Sequence, residues 1–226
     1  MLTLWAWALA PAAAAPGAAA PDTLRLDVFQ RTHPPNEPIA NWNARKIAPL
    51  FGSGADFFFQ FVVDDTGQGH LHVRSGRNNS FSVGAELPFE LGTFPALEWE
   101  WKVTRLPTGG DVRVKARDDQ AGSLCVIVNP GLVGFESMCY LWENTGPIDT
   151  PITSTKRDDS RYLILHVGTS GQFGTWVQER RNMLADYRRV FRKDPVAKAI
   201  IGVQIDSDST ESSAEAFYRN IVLHRR

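Results

Sequence analysis

The feature that most limits what this chain can become is the shortness of its apolar segments, each cut off by Gly, Asp, Asn or Pro. The runs Phe57–Val63, His70–Ser75, Ser80–Gly84, Leu97–Val103, Val112–Ala116, Leu124–Val128, Met138–Trp142, Tyr162–Val167, Thr175–Glu179, Ala199–Ile205 and Ala216–His224 all read as strands. None has the length of a typical buried helix, and no linker composition separates them. This pattern predicts an all-β fold, an antiparallel two-sheet β-sandwich of the jelly-roll kind, as a single domain over 22–226.

Two stretches sharpen the expectation. Leu97-Glu98-Trp99-Glu100-Trp101-Lys102-Val103 alternates strictly, which puts both tryptophans on one face and the charges on the other. That face is either core or a flat platform on which a sugar ring could stack. In Asn182–Phe191 the period changes: Met183, Tyr187, Val190 and Phe191 follow helical spacing, with Asn182 placed as N-cap and Pro195 beyond the end. One short helix is expected there. Its other face carries Arg188, Arg189, Arg192 and Lys193, preceded by Arg180 and Arg181, a solvated face or an anion-binding patch.

Cys125 and Cys139 are the two cysteines, in runs separated by Asn129-Pro130-Gly131 and Gly134. A hairpin centred near Leu132 sets them opposite each other, as a cross-strand disulfide or as two buried thiols. Residues 1–20 carry no charged side chain, hold Ala-x-Ala sites at Ala13–Ala15 and Ala18–Ala20, and give way to Asp22 and Arg25. They read as a signal peptide, which predicts a periplasmic or secreted protein, against an Ala/Pro-rich tail.

The formal net charge is -1, so no global field draws the chain to nucleic acid or anionic membrane. No apolar run after residue 21 reaches the roughly 20 residues of a membrane span. There is no G-x-S-x-G, H-E-x-x-H, P-loop or G-x-G-x-x-G. His70 and His72 share a strand face and form at most half a metal site. Glu98 and Glu100 stand about 7 Å apart along one strand, wider than the pair of a retaining glycosidase. Two acidic loops remain: Asp118-Asp119, and Asp206-x-Asp208-x-x-Glu211. Carboxylates at strand ends suit a structural calcium, for which Asp206 and Asp208 are the candidate ligands, and they equally suit ordinary turns. No other cofactor is expected.

Leu97-x-Trp99-x-Trp101-Lys102-Val103, Leu106-Pro107, Asp118-Asp119-x-Ala121 and Cys139-Tyr140-Leu141-Trp142 resemble, in order, the family called domain of unknown function 3047. The likeness continues through Trp176, Glu179-Arg180-Arg181-Asn182, Asp186-Tyr187-Arg188, Gly202-Val203-x-Ile205-Asp206-x-Asp208 and Ala216-x-Tyr218-x-Asn220-Ile221. The resemblance implies a bacterial, exported sandwich and supplies no activity. Arg219-Asn220 and Ser209-Thr210 depart from the family pattern and remove oxygens a calcium ion would use. The closing segment Ala216–Leu223 also looks like the last strand of carbohydrate-binding modules, a likeness of fold.

The resulting expectation is non-catalytic binding of a glycan, with Trp142 as platform and Asp118, Asp119 and Arg181 as hydrogen-bonding groups. The alternatives are a polysaccharide-active enzyme using Asp118, Asp119 or Glu136, and an envelope protein that binds an acidic partner through the arginine-rich helix. Ligand identity and oligomeric state are not legible in the sequence.

Overall fold

The computed structural model describes residues 21–39, 41–45, 57–77, 79–129 and 134–225. The expected signal peptide lies outside these residues. The strands are β1 (Thr23–Arg25), β2 (Trp42–Arg45), β3 (Phe57–Val63), β4 (Gly69–Ser75), β5 (Ser80–Phe89), β6 (Ala96–Arg105), β7 (Gly122–Val128), β8 (Glu136–Glu143), β9 (Pro151–Thr153), β10 (Ser160–Val167), β11 (Val177–Asn182), β12 (Ala199–Asp206) and β13 (Ala214–His224). One helix, α1 (Met183–Phe191), joins β11 to β12.

They form two sheets. The six-stranded sheet has the order β11-β6-β13-β4-β3, with β1 also on β13, and the seven-stranded sheet runs β2-β5-β12-β7-β8-β10-β9. All strand pairs are antiparallel except β8 with β10, which run parallel, so the second sheet is mixed. The sandwich is as expected, with that one departure from an antiparallel ladder. The run Val112–Ala116 is a second departure: it forms a turn and a 3-10 helix at Lys115–Arg117 instead of a strand. Val112 is fully buried there all the same, so its apolarity reports burial under a loop. Among the described residues no helix is long and apolar enough to cross a membrane.

The alternation in β6 decides the core. Leu97, Trp99, Trp101 and Val103 are completely buried, facing the other sheet's inner side at β8. Trp99 stacks on Tyr140 with ring centroids 5.3 Å apart, and Trp101 meets Trp142 edge-on at 5.8 Å. Rings of this size dominate the apolar area a sandwich removes from water, about 25 cal/mol per Å².

Helix α1 begins where Asn182 takes an extended conformation and its side chain accepts the amide of Ala185 at 3.0 Å. It ends at Arg192, whose left-handed backbone (φ 57°) lets its N–H close on the Arg188 carbonyl. Met183, Leu184, Tyr187 and Val190 pack inward.

Candidate functional site

Register places small residues in one row across the seven-stranded sheet. Gly84 of β5 pairs with Gly202 of β12, Gly202 with Cys125 of β7, Cys125 with Cys139 of β8, and Cys139 with Tyr162 of β10. Inward-facing neighbours such as Val83, Val203, Leu124 and Tyr140 fill the core, so by alternation this row lies on the outer face. Cys125 and Cys139 are joined as a disulfide, the first of the two readings above. Two glycines and the disulfide thus line up across the strands as a buried row of small side chains, partly overlain by Ile127. At about 4.8 Å per strand the row from Gly84 to Cys139 extends about 14 Å.

Hydroxyl and amide side chains border it. Over Gly202, Cys125 and Cys139 there is a pocket, with Ser82 and Gln204 on one side of the row and Ile127, Ser137 and Ser160 on the other. Lys156, Arg157 and Asp206 stand at its end. Ser80, which also lines it, has a buried hydroxyl with no hydrogen-bond partner.

That end is a buried charge cluster, where the fold unites the two acidic loops. Oxygens of Asp119, Asp206 and Asp208 lie within 4.8 Å of one another, the geometry expected of a cation site. The cation is Lys156. Its Nζ donates to the Asp118 carbonyl at 2.9 Å, to Asp208 Oδ1 at 3.3 Å and to Asp206 Oδ2 at 3.4 Å. Asp119 is spent elsewhere, accepting the amides of Ser209 and Thr210. The expected calcium ligands Asp206 and Asp208 thus share an ammonium, and a divalent ion beside it would meet its repulsion in a low dielectric. Burial lowers the Lys156 pKa, but Asp206, Asp208 and Asp118 outweigh it and the net shift is upward. Burial pushes Asp118 up to about 6 and Asp206 well above the usual carboxylate range.

A further acid lies on the same outer face. Glu143, at the end of β8, is fully buried beneath the 107–120 segment, and its two oxygens have no hydrogen-bond partner. Burial pushes its carboxyl up to about 8, only partly offset by the nearby amides of Asn144 and Val112.

The other expected ligand residues do not reach the groove. Trp142 was expected as an exposed platform, and this is corrected: β8 alternates so that Met138, Tyr140 and Trp142 all face the core. Trp142 is 1% exposed, stacked on His166 at 4.4 Å, with its indole N–H on the Gly168 carbonyl. Arg181 is on β11 of the other sheet, forked onto Asp186 at 2.9 Å and bonded to Asp149, so its donors are taken. Asp118 and Asp119 are buried behind Lys156. Glu136 bonds the Tyr187 hydroxyl and Lys193. The helix cations are largely paired within the chain: Arg189 with Asp149 and Asp186, Arg188 with Asp194, Arg180 with Glu98.

Three features of the two outer faces are not marked by any sequence pattern. Lys156 sits in a polar stretch with no pattern. Gly84 and Gly202 become neighbours only through register. Trp176 lies outside a strand, and it is the one tryptophan among the described residues that is not buried.

Fold and site together define a two-sheet jelly-roll sandwich with a cross-strand groove on one outer face. Residues 57–222 match the family described as "Protein of unknown function (DUF3047)", and the chain belongs to it. No curated protein matches it in sequence. Among solved structures it is similar to a family 11 carbohydrate-binding module of a Clostridium thermocellum cellulosomal cellulase, at 12% identity and TM-score 0.44, covering 92% of this chain and 97% of that one. It is also similar to a cellulase derived from that of Rhodothermus marinus, at 14% identity and TM-score 0.44, covering 81% and 96%. A mannan-recognising carbohydrate-binding module, TmCBM27, shares 15% identity at TM-score 0.37, covering 91% and 96%.

Proposed function

We propose that this chain is a non-catalytic glycan-binding protein of the periplasm or of the secreted fraction, and that the groove across the seven-stranded sheet receives one saccharide chain. The observation that carries this reading is the pocket over Gly202, Cys125 and Cys139, with Ser82, Gln204, Ser137 and Ser160 in its lining. Hydroxyls and an amide each donate and accept, as sugar hydroxyls do, while the partly exposed Ile127 and Phe135 offer apolar surface to C–H groups. The disulfide supports an oxidising compartment. Asp206, a carboxylate lining the groove, is held by Lys156, which supports binding over acid/base hydrolysis with two free carboxylates.

The test is calorimetric titration of the purified protein with soluble neutral polysaccharides, with reducing ends assayed in parallel. Saturable binding, weakened at least fivefold in Gln204→Ala and lost in Gln204→Trp, is expected. Absence of binding to any neutral polymer, or unchanged binding by Gln204→Trp, overturns the groove. Release of reducing ends overturns the non-catalytic reading.

A further inference from the structure

The opposite outer face, on the six-stranded sheet, has a different chemistry. Register aligns Gln60, His72, Phe217 and Lys102 across β3, β4, β13 and β6. His72 stacks on Phe217 at 4.2 Å, and Lys102 Nζ lies 4.3 Å from the Phe217 ring centre on its other neighbouring strand. Beside this row stands Trp176. The Arg219 guanidinium lies over its indole at 4.0 Å and is itself anchored on Glu100 at 2.7 Å. Phe217 contacts the indole nearly perpendicular to it, and the side chain stays partly exposed.

The charges on this face are unequal in their pairing. Glu100 is taken by Arg219 and Asn220, and Glu215 by His72 and Thr104. Lys102, whose Nζ is also 5.1 Å from the Trp176 ring centre, has no carboxylate partner among the described residues. An ammonium held between aromatic rings, half-buried and without a counter-charge, favours an anion brought next to it.

We propose that Trp176 and Lys102 form a second saccharide site, back to back with the groove, for a sugar bearing a uronate carboxylate. Arg219 covers one face of the indole and fixes its plane. The solvent-facing part of the indole takes the C–H face of a pyranose, and Lys102 takes the carboxylate, with His70, its ring centre 6.0 Å from that of the indole, at the margin for hydroxyls. The site does not rest on the groove reading: the two use different sheets and different chemistry.

The experiment is calorimetric titration with hexagalacturonate and with its methyl ester, at low and high salt. Binding of the acid form, at least tenfold weaker for the ester, is expected, and it weakens with salt. Trp176→Ala and Lys102→Met each lower affinity for the acid at least tenfold, while Gln204→Trp leaves it unchanged. Should Trp176→Ala misfold by circular dichroism, Trp176→Phe keeps a ring and retains measurable binding that Lys102→Met lacks. No binding of the acid form, equal binding of the ester, or wild-type affinity in folded Trp176→Ala or Lys102→Met overturns the proposal.

Discussion

Cys125 and Cys139 face each other directly in the β7–β8 register and are bonded, with a sequence separation of 14. The crosslink ties the middle of the seven-stranded sheet at the floor of the groove. A closed loop of this length restricts the unfolded chain by about 3 kcal/mol. The Cys125→Ser/Cys139→Ser double variant is expected to lose at least that much in urea unfolding. Both cysteines belong to a satellite apolar cluster with Leu141, Tyr162 and Ile164, so the two serine hydroxyls buried there add a desolvation cost to the loss of the crosslink.

Lys156 acts as an internal counter-ion. Removing one partner of a buried ion cluster leaves uncompensated charge, at a cost of about 3–5 kcal/mol where burial is complete and less here, since the side chain is 19% exposed. Lys156→Ala should lower the melting temperature sharply, and millimolar calcium should restore part of it by entering the emptied seat among Asp119, Asp206 and Asp208. The wild-type melting temperature should be the same in calcium and in chelator. A chelator-sensitive wild type would contradict the lysine assignment.

Glu143 makes stability depend on pH. Its carboxyl ordinarily titrates at 4.5 and in the fold near 8, so between these values the native state holds a proton that the unfolded state has released. Stability from this group is complete below about 4.5 and is lost as pH rises toward 8, on the order of 1.4 kcal/mol for each pKa unit. Glu143→Gln should be about as stable as wild type at pH 4.5 and more stable at pH 8.5, flattening the profile of melting temperature against pH. Equal slopes in the two proteins would contradict this account.

Gly122 opens β7 against the core tryptophans. A Cβ there would lie 2.9 Å from Val103 Cγ2 and 3.0 Å from Trp142 Cβ, closer than packed carbons tolerate. Gly122→Ala should cost about 1–3 kcal/mol through overpacking, read as a lower denaturant midpoint with unchanged slope.

Much of the architecture was legible because period carries it. Leu97–Val103 alternates and is half buried, half solvated, and the cap at Asn182 starts the helix where the period changes. Trp142 was not legible because β8 is apolar on both faces: Cys139 and Leu141 pack against loops while Tyr140 and Trp142 pack against the other sheet. With no polar alternation, nothing in the run says which side is inside. The acid cluster was half legible. Both Asp loops stood out, but Lys156, which decides their chemistry, is separated from Asp206 by 50 residues and shares no motif with it.

The position of β13 in its sheet has a consequence for how the chain can be assembled. This strand lies between β6 and β4 and also carries β1, yet it is the last of all these to be synthesised. Until it emerges, β3–β4 and β6–β11 are separate ribbons with Trp99, Trp101, Phe59 and Phe61 uncovered. The six-stranded sheet therefore cannot close around these rings before β13 is made, and its two ribbons join through that one strand.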